Sequence, residues 1–149
     1  MGNKGDKGET GLAGPFTATL PSGKSLTGDW AVETTGPYGA ADISFEFPLA
    51  QALSPSNVHF IDKSATPPSG CSGDVLNPGA APGNLCVFVG EAEAFDFATS
   101  CVFEPSANNA CTQGGVGQGF GKTGAVVFAQ SGEVGQNMGA YGTWVVTAP

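Results

Sequence analysis

His59 is the only histidine among the 149 residues, so any Ser-His-Asp or Cys-His nucleophilic mechanism has to pass through it. In Asn57-Val58-His59-Phe60 it falls out of phase with Val58 and Phe60 and points to solvent from a short strand, the place of a spectator rather than a base. The acids Glu91, Glu93 and Asp96 come nearest to a metal-ligand set, because calcium prefers several hard oxygen ligands. Glu91 and Glu93 share a strand face, where paired carboxylates can also hydrolyse glycosides. No EF-hand-type loop surrounds them, so a solvated acidic rim is the plainer reading and neither a metal nor another cofactor is assigned. Gly115 to Thr123 tempts a nucleotide-binding reading. A Walker A loop would need glycine where Val116 stands and a helix afterwards, whereas Val126-Val127-Phe128 reads as strand. Gly119-Phe120-Gly121-Lys122-Thr123-Gly124 matches G-x-G-x-x-G by letters only, without the strand before and the helix after. Trp30, Trp144, Tyr38 and Tyr141 could make a sugar-stacking platform, but both tryptophans lie within strand alternation and are better spent on core or subunit-interface packing. Nothing here nominates an enzyme.

Four cysteines, Cys71, Cys86, Cys101 and Cys111, form an even set in a chain poor in charge, which points to disulfides and an oxidising compartment. Three pairings are formally possible. Cys71 to Cys86 and Cys101 to Cys111 are favoured, because each closes a loop punctuated by Pro, Asn and Gly; closing such a loop adds roughly 3 kcal/mol in the chain-entropy model. Zinc would need short pairs such as C-x-x-C, and the sequence has none.

The first fifteen residues obey a different rule. Glycine falls at Gly2, Gly5, Gly8, Gly11 and Gly14 and nowhere between. A strict Gly-X-Y period marks a collagen triple helix, because three polyproline-II chains crowd an axis that only a hydrogen side chain can enter. Lys4-Gly5-Asp6 and Lys7-Gly8-Glu9 set a cation before an anion across each glycine, so Lys4, Asp6, Lys7 and Glu9 can pair between staggered chains. The plainer alternative is a flexible Gly-rich tail. Residues 1–15 are therefore expected to be a collagen-like stalk remnant and residues 16–149 a head. Met1 leads directly into a triplet with no leader before it, as expected of a piece of a longer secreted chain.

The chain resembles bacterial collagen-like surface proteins, in which Gly-X-Y repeats precede a globular C-terminal head. Besides the triplets, the likeness rests on three stretches that look like actinobacterial head domains. They are Cys71-Ser72-Gly73 through Asn77-Pro78, Ala81-Pro82-Gly83-Asn84-Leu85-Cys86-Val87, and Gly142-Thr143-Trp144-Val145-Val146-Thr147-Ala148-Pro149. The resemblance implies a secreted, trimeric, structural protein, and it carries over no catalytic residue.

Composition agrees with a turn-rich β domain: 12% of residues are charged, and there are 24 glycines and 11 prolines. Thirteen carboxylates face five lysines with no arginine, giving a net charge of -8 that lies wholly in the head. Such a surface repels nucleic acid, phosphate groups and anionic membranes. Its longest apolar run, Ala125 to Ala129, is far too short to span a bilayer.

Strands are expected at Phe16 to Leu20, Lys24 to Thr35, Ala41 to Leu49, Asn57 to Asp62, Leu85 to Gly90, Ala94 to Phe103, Ala125 to Gln130 and Ala140 to Thr147. In Ala94 to Phe103, the residues Phe95, Phe97, Thr99, Cys101 and Phe103 would share one face. Leu49 to Leu53 has room for a single helical turn, and Lys63 to Asn84 and Glu104 to Gly124 read as long loops. Eight or nine short strands predict an all-β, antiparallel β-sandwich of jelly-roll type, with the last strand beside Phe16 to Leu20. The expected function is a non-enzymatic, extracellular or cell-surface homotrimerisation head that nucleates and registers a collagen-like triple helix. The alternative is a head that binds a glycan, surface ligand or receptor, in an adhesin or a phage fibre.

Overall fold

A computed structural model describes residues 18–104 and 121–149. Gly2, Gly5, Gly8, Gly11, Gly14, Lys4, Asp6, Lys7, Glu9, Phe16 and Cys111, and the glycine cluster up to Phe120, lie outside the described residues.

Nine strands are described: β1 (Ser25–Thr34), β2 (Tyr38–Ser44), β3 (Val58–Ile61), β4 (Cys71–Gly73), β5 (Pro78–Ala80), β6 (Leu85–Glu93), β7 (Cys101–Phe103), β8 (Gly124–Gln130) and β9 (Met138–Thr147). One sheet has the order β1-β9-β6-β3 and the other β2-β8-β7, with β4-β5 as a separate hairpin. The chain is an all-β sandwich. Its outer wrapping is that of a jelly roll, with the first strand against the last and the second against the last but one. Inside that wrapping β3 runs parallel to β6, so the sandwich is not wholly antiparallel.

Alternation sets the faces. Trp30 and Val32 of β1, Ile43 of β2, Val127 of β8 and Trp144 and Val146 of β9 point between the sheets and build the main core. Leu85 to Val89 of β6 are buried without alternation because both faces of that strand are covered. Even residues meet the hairpin: Cys86 and Phe88, with Ile61 and Val145, pack under Cys71, Val75 and Ala80. Cys71 is disulfide-bonded to Cys86, with Cα atoms 5.9 Å apart. Thr143 Oγ1 and Thr147 Oγ1 donate to the carbonyls of Val75 and Ala80 at 2.8 and 2.9 Å. The expected loop from Lys63 to Asn84 is thus a hairpin held on the sheet. Cys101 is also disulfide-bonded, while its expected partner Cys111 lies outside the described residues.

Several boundaries need correction. Ala18 to Leu20 is not strand; Leu20 N–H donates to Pro48 O at 2.9 Å, and β9 runs in the middle of its sheet between β1 and β6. Strand β2 stops at Ser44, where Phe45 turns to bond Thr123 O at 2.9 Å and still buries its ring. The single helical turn is a 3-10 turn at Pro55–Asn57 rather than at Leu49 to Leu53, since proline suits a first helical position. Ala94 to Phe103 is not one strand. Ala94 takes a positive φ of 51°, and Asp96 accepts from Ala98 N–H at 3.0 Å to start a 3-10 turn over Phe97–Thr99. Phe95 and Phe97 then gather on Phe60, Phe97 stacking at 4.8 Å, instead of lining a strand face with Cys101 and Phe103.

Strands β1 and β9 pair along their whole length, with Gly28 opposite Trp144 and Trp30 opposite Gly142. A Cβ at Gly28 would stand 2.6 Å from the Trp144 ring, and one at Gly142 would collide with the Phe88 carbonyl. That carbonyl adjoins the β6 bulge at Gly90 and accepts a bond from Trp30 Nε1 at 3.1 Å. Gly139, three residues earlier on β9, has open space where a Cβ would go.

Gly142→Ala is expected to cost about 1–3 kcal/mol in urea denaturation, whereas Gly139→Ala costs under about 0.5 kcal/mol; equal effects would contradict the packing at Phe88. Replacing both Cys71 and Cys86 by serine should lower stability by about 3 kcal/mol, read from the same denaturation curves, and should loosen the hairpin ahead of the sheets in hydrogen exchange.

Candidate functional site

The hairpin covers only half of the outer face of the β1-β9-β6-β3 sheet. Past its end the pairing lays out open rows: Asp29 beside Thr143, then Ala31, Tyr141 and Glu91, then Glu33, Gly139 and Glu93. The β-bulge at Val89/Glu91 is what keeps Glu91 on this side; without the extra residue, alternation would turn it into the core. Tyr141 stands in the middle of the rows, 56% exposed, because its neighbours Ala31 and Gly139 are too small to cover it.

One wall comes from the hairpin loop. Gly73 takes a φ of +77°, and Asp74 Oδ1 then accepts from the N–H groups of Leu76 and Asn77, both at 2.9 Å. The turn lifts Leu76 out to 83% exposure beside Tyr141 instead of folding it back on the sheet. Two adjoining hollows of about 730 and 630 Å³ flank Tyr141, the second lined by Val75, Leu76, Ala31 and Gly142.

Four carboxylates, Asp29, Glu33, Glu91 and Glu93, rim these hollows. Lys63 meets Glu91 at 2.6 Å in an exposed ion pair. Glu33 and Glu93 lie two strands apart, about 10 Å at ordinary sheet spacing. Gly139 of β9 separates them in the row. Asp96 is not with them, being spent on capping the turn at Phe97. Glu91, Glu93 and Asp96 do not converge as a calcium site, and among the described residues no group of three or more His, Cys, Asp or Glu could hold a metal ion.

His59 is a structural clip rather than a free solvent-facing ring. Its Nε2 donates to Asn84 Oδ1 at 3.0 Å, while Asn84 Nδ2 donates to the carbonyls of Ala81 and Pro82. Trp30 and Trp144 are core residues, at 3% and 5% exposure, so the four-aromatic sugar platform does not form. Tyr38 lies on the other sheet, stacked 5.7 Å from Phe128. The described end of the glycine cluster, Gly121 to Gly124, leads into β8, a strand and not the helix that phosphate binding requires.

Sequence reasoning nominated Glu91, Glu93 and Tyr141 separately and missed Asp29 and Glu33. They join the site only through the β1–β9 register, and the signal for that register was the repeated Gly-x-Trp of Gly28-Asp29-Trp30 and Gly142-Thr143-Trp144.

No protein-family model, curated protein or solved structure matches the chain.

His59→Ala should lower stability by about 1 kcal/mol in chemical denaturation, the net worth of one hydrogen bond. A variant that unfolds outright would contradict its assignment as a clip, since Asn84 retains its two backbone acceptors.

Proposed function

We propose that the chain is the non-enzymatic trimerisation head of a collagen-like, extracellular or surface fibrous protein, with residues 1–15 as the last triplets of its stalk. The observation that carries this reading is the unbroken period Gly2, Gly5, Gly8, Gly11 and Gly14 running into a folded sandwich. Any residue larger than glycine at those places would bar three backbones from a common axis. The stalk needs a partner structure, because so few triplets do not hold together unaided. Three stalks tethered at one end meet at about millimolar effective concentration, which lowers the cost of starting the triple helix.

Two features of the sandwich support it. The chain comes in at one end, where Leu20 bonds Pro48 and Gly23 bonds Ala148, so three associated heads would release three stalks from one place. The outer face of the β2-β8-β7 sheet carries Tyr38, Ala40, Phe128 and Phe103, with Asp42 as its one charge on β2, β7 and β8. Apolar, charge-poor faces of this kind suit a threefold interface. The opposite outer face, with its four carboxylates, does not. The disulfides fit an oxidising exterior, and among the described residues no helix is long and apolar enough to cross a membrane.

A head that recognises a ligand is the second reading, favoured by the exposed Tyr141 groove, and it is compatible with the first.

The two tyrosines separate a trimer from a single copy. Treated with tetranitromethane, Tyr141 should nitrate at least about fivefold faster than Tyr38, which the interface would cover; equal rates at two residues of near-equal exposure in the lone chain, 56% and 58%, would contradict the assembly. Tyr38→Glu should reduce the assembly to single copies in sedimentation and, with it, abolish the polyproline-type circular dichroism contributed by residues 1–15.

A further inference from the structure

We propose that the groove beside Tyr141 docks a cationic polypeptide segment, one bearing lysine or arginine at alternating or fourth positions along an extended backbone. This inference does not rest on the trimer reading, since every residue it uses belongs to one copy.

Charge selects the occupant. Asp29, Glu33, Glu91 and Glu93 rim the groove, Lys63 answers Glu91 alone, and Asp29, Glu33 and Glu93 have no ion pair among the described residues. Along β1, Asp29 and Glu33 lie four residues apart, about 13 Å of extended chain; along β6, Glu91 and Glu93 lie two apart, about 7 Å. The two rows of acids therefore match cations spaced by two or four residues on a strand laid across the face. Between the rows the floor is apolar and narrow-sided, formed by Ala31, Gly139 and Gly142. It accommodates the methylene stems of lysine and arginine, whose heads then reach the rim. Tyr141 presents an open ring at the centre, a surface on which a guanidinium can lie. Leu76, held out by the Asp74 turn, offers contact for an apolar residue between the cations.

Other occupants fit less well. A second copy of this chain would bring a like-charged face, and each copy already carries a net charge of -8. A neutral sugar would use the Tyr141 ring and leave three carboxylates without counter-charge. A metal ion finds no group of three or more His, Cys, Asp or Glu among the described residues to hold it.

The test uses the full chain and a fluorescein-labelled, capped peptide alternating arginine with leucine, read by anisotropy at about 0.05 M and about 0.5 M salt. The wild type should bind it and not the counterpart with glutamate for arginine, and raised salt should weaken binding. Glu33→Gln with Glu93→Gln should weaken binding about tenfold, and Tyr141→Ala about threefold. Glu46→Gln with Glu133→Gln, both exposed and away from the groove, removes the same charge elsewhere and should change it less than about twofold. Circular dichroism verifies that these surface variants keep the sandwich. Equal weakening by both double variants would overturn the proposal in favour of diffuse attraction. Absence of binding would overturn it outright. So would salt-insensitive, Tyr141-dependent binding of neutral oligosaccharides without binding of the peptide.

Discussion

The pairing of two Gly-x-Trp motifs is the contact on which the rest of the molecule depends. Gly28-Asp29-Trp30 and Gly142-Thr143-Trp144 run antiparallel with each glycine opposite the other strand's tryptophan. The Trp144 ring occupies the space a side chain at Gly28 would need, and Trp30 spans its neighbour strand to bond Phe88 O at 3.1 Å. A slip of one residue would set two bulky indoles against side chains and turn each strand's buried set to solvent. The register is thereby fixed between the edge strand β1 and its neighbour β9 in the larger sheet. It decides both what the core contains and what the outer face displays.

From that register the two outer faces acquire opposite character. One carries the carboxylates around Tyr141 and is half covered by the disulfide-bound hairpin; the other carries Tyr38, Phe128 and Phe103 with little charge. The trimer proposed above would need this separation in order to associate and stay in solution. Like charges spread over both faces would oppose assembly, and apolar surface on both would invite open-ended aggregation. In the proposed trimer the acidic face would remain in water and the aromatic face would be buried.

Much of the sandwich is legible in the sequence because half-buried strands write a period of two. The alternation of Trp30 and Val32 in β1, and of Trp144 and Val146 in β9, states both the strands and their inward faces. The same rule misleads at Ala94 to Phe103. There Phe95 and Phe97 keep the period but reach Phe60 from just before a short 3-10 turn and from its first residue, since tertiary packing and not the strand pleat places their rings. The hairpin of β4 and β5 hides in a Pro, Gly and Ser stretch because three-residue strands are too short to show a period. The parallel partner of β3 is invisible for another reason: strand neighbours far apart in sequence leave no local mark. The groove suffers from the same gap, for Asp29 and Glu33 meet Glu91 and Glu93 only across β9. The disulfide of Cys71 with Cys86 was readable because loop closure is a property of spacing and punctuation.

Association through a charge-poor face, directed so that three glycine-periodic segments leave one end together, is the central claim. Sedimentation equilibrium of the full chain addresses it most directly. The account predicts a mass three times the 14.8 kDa of one chain across the accessible concentration range; a mass of one chain, unchanged by concentration, would contradict it.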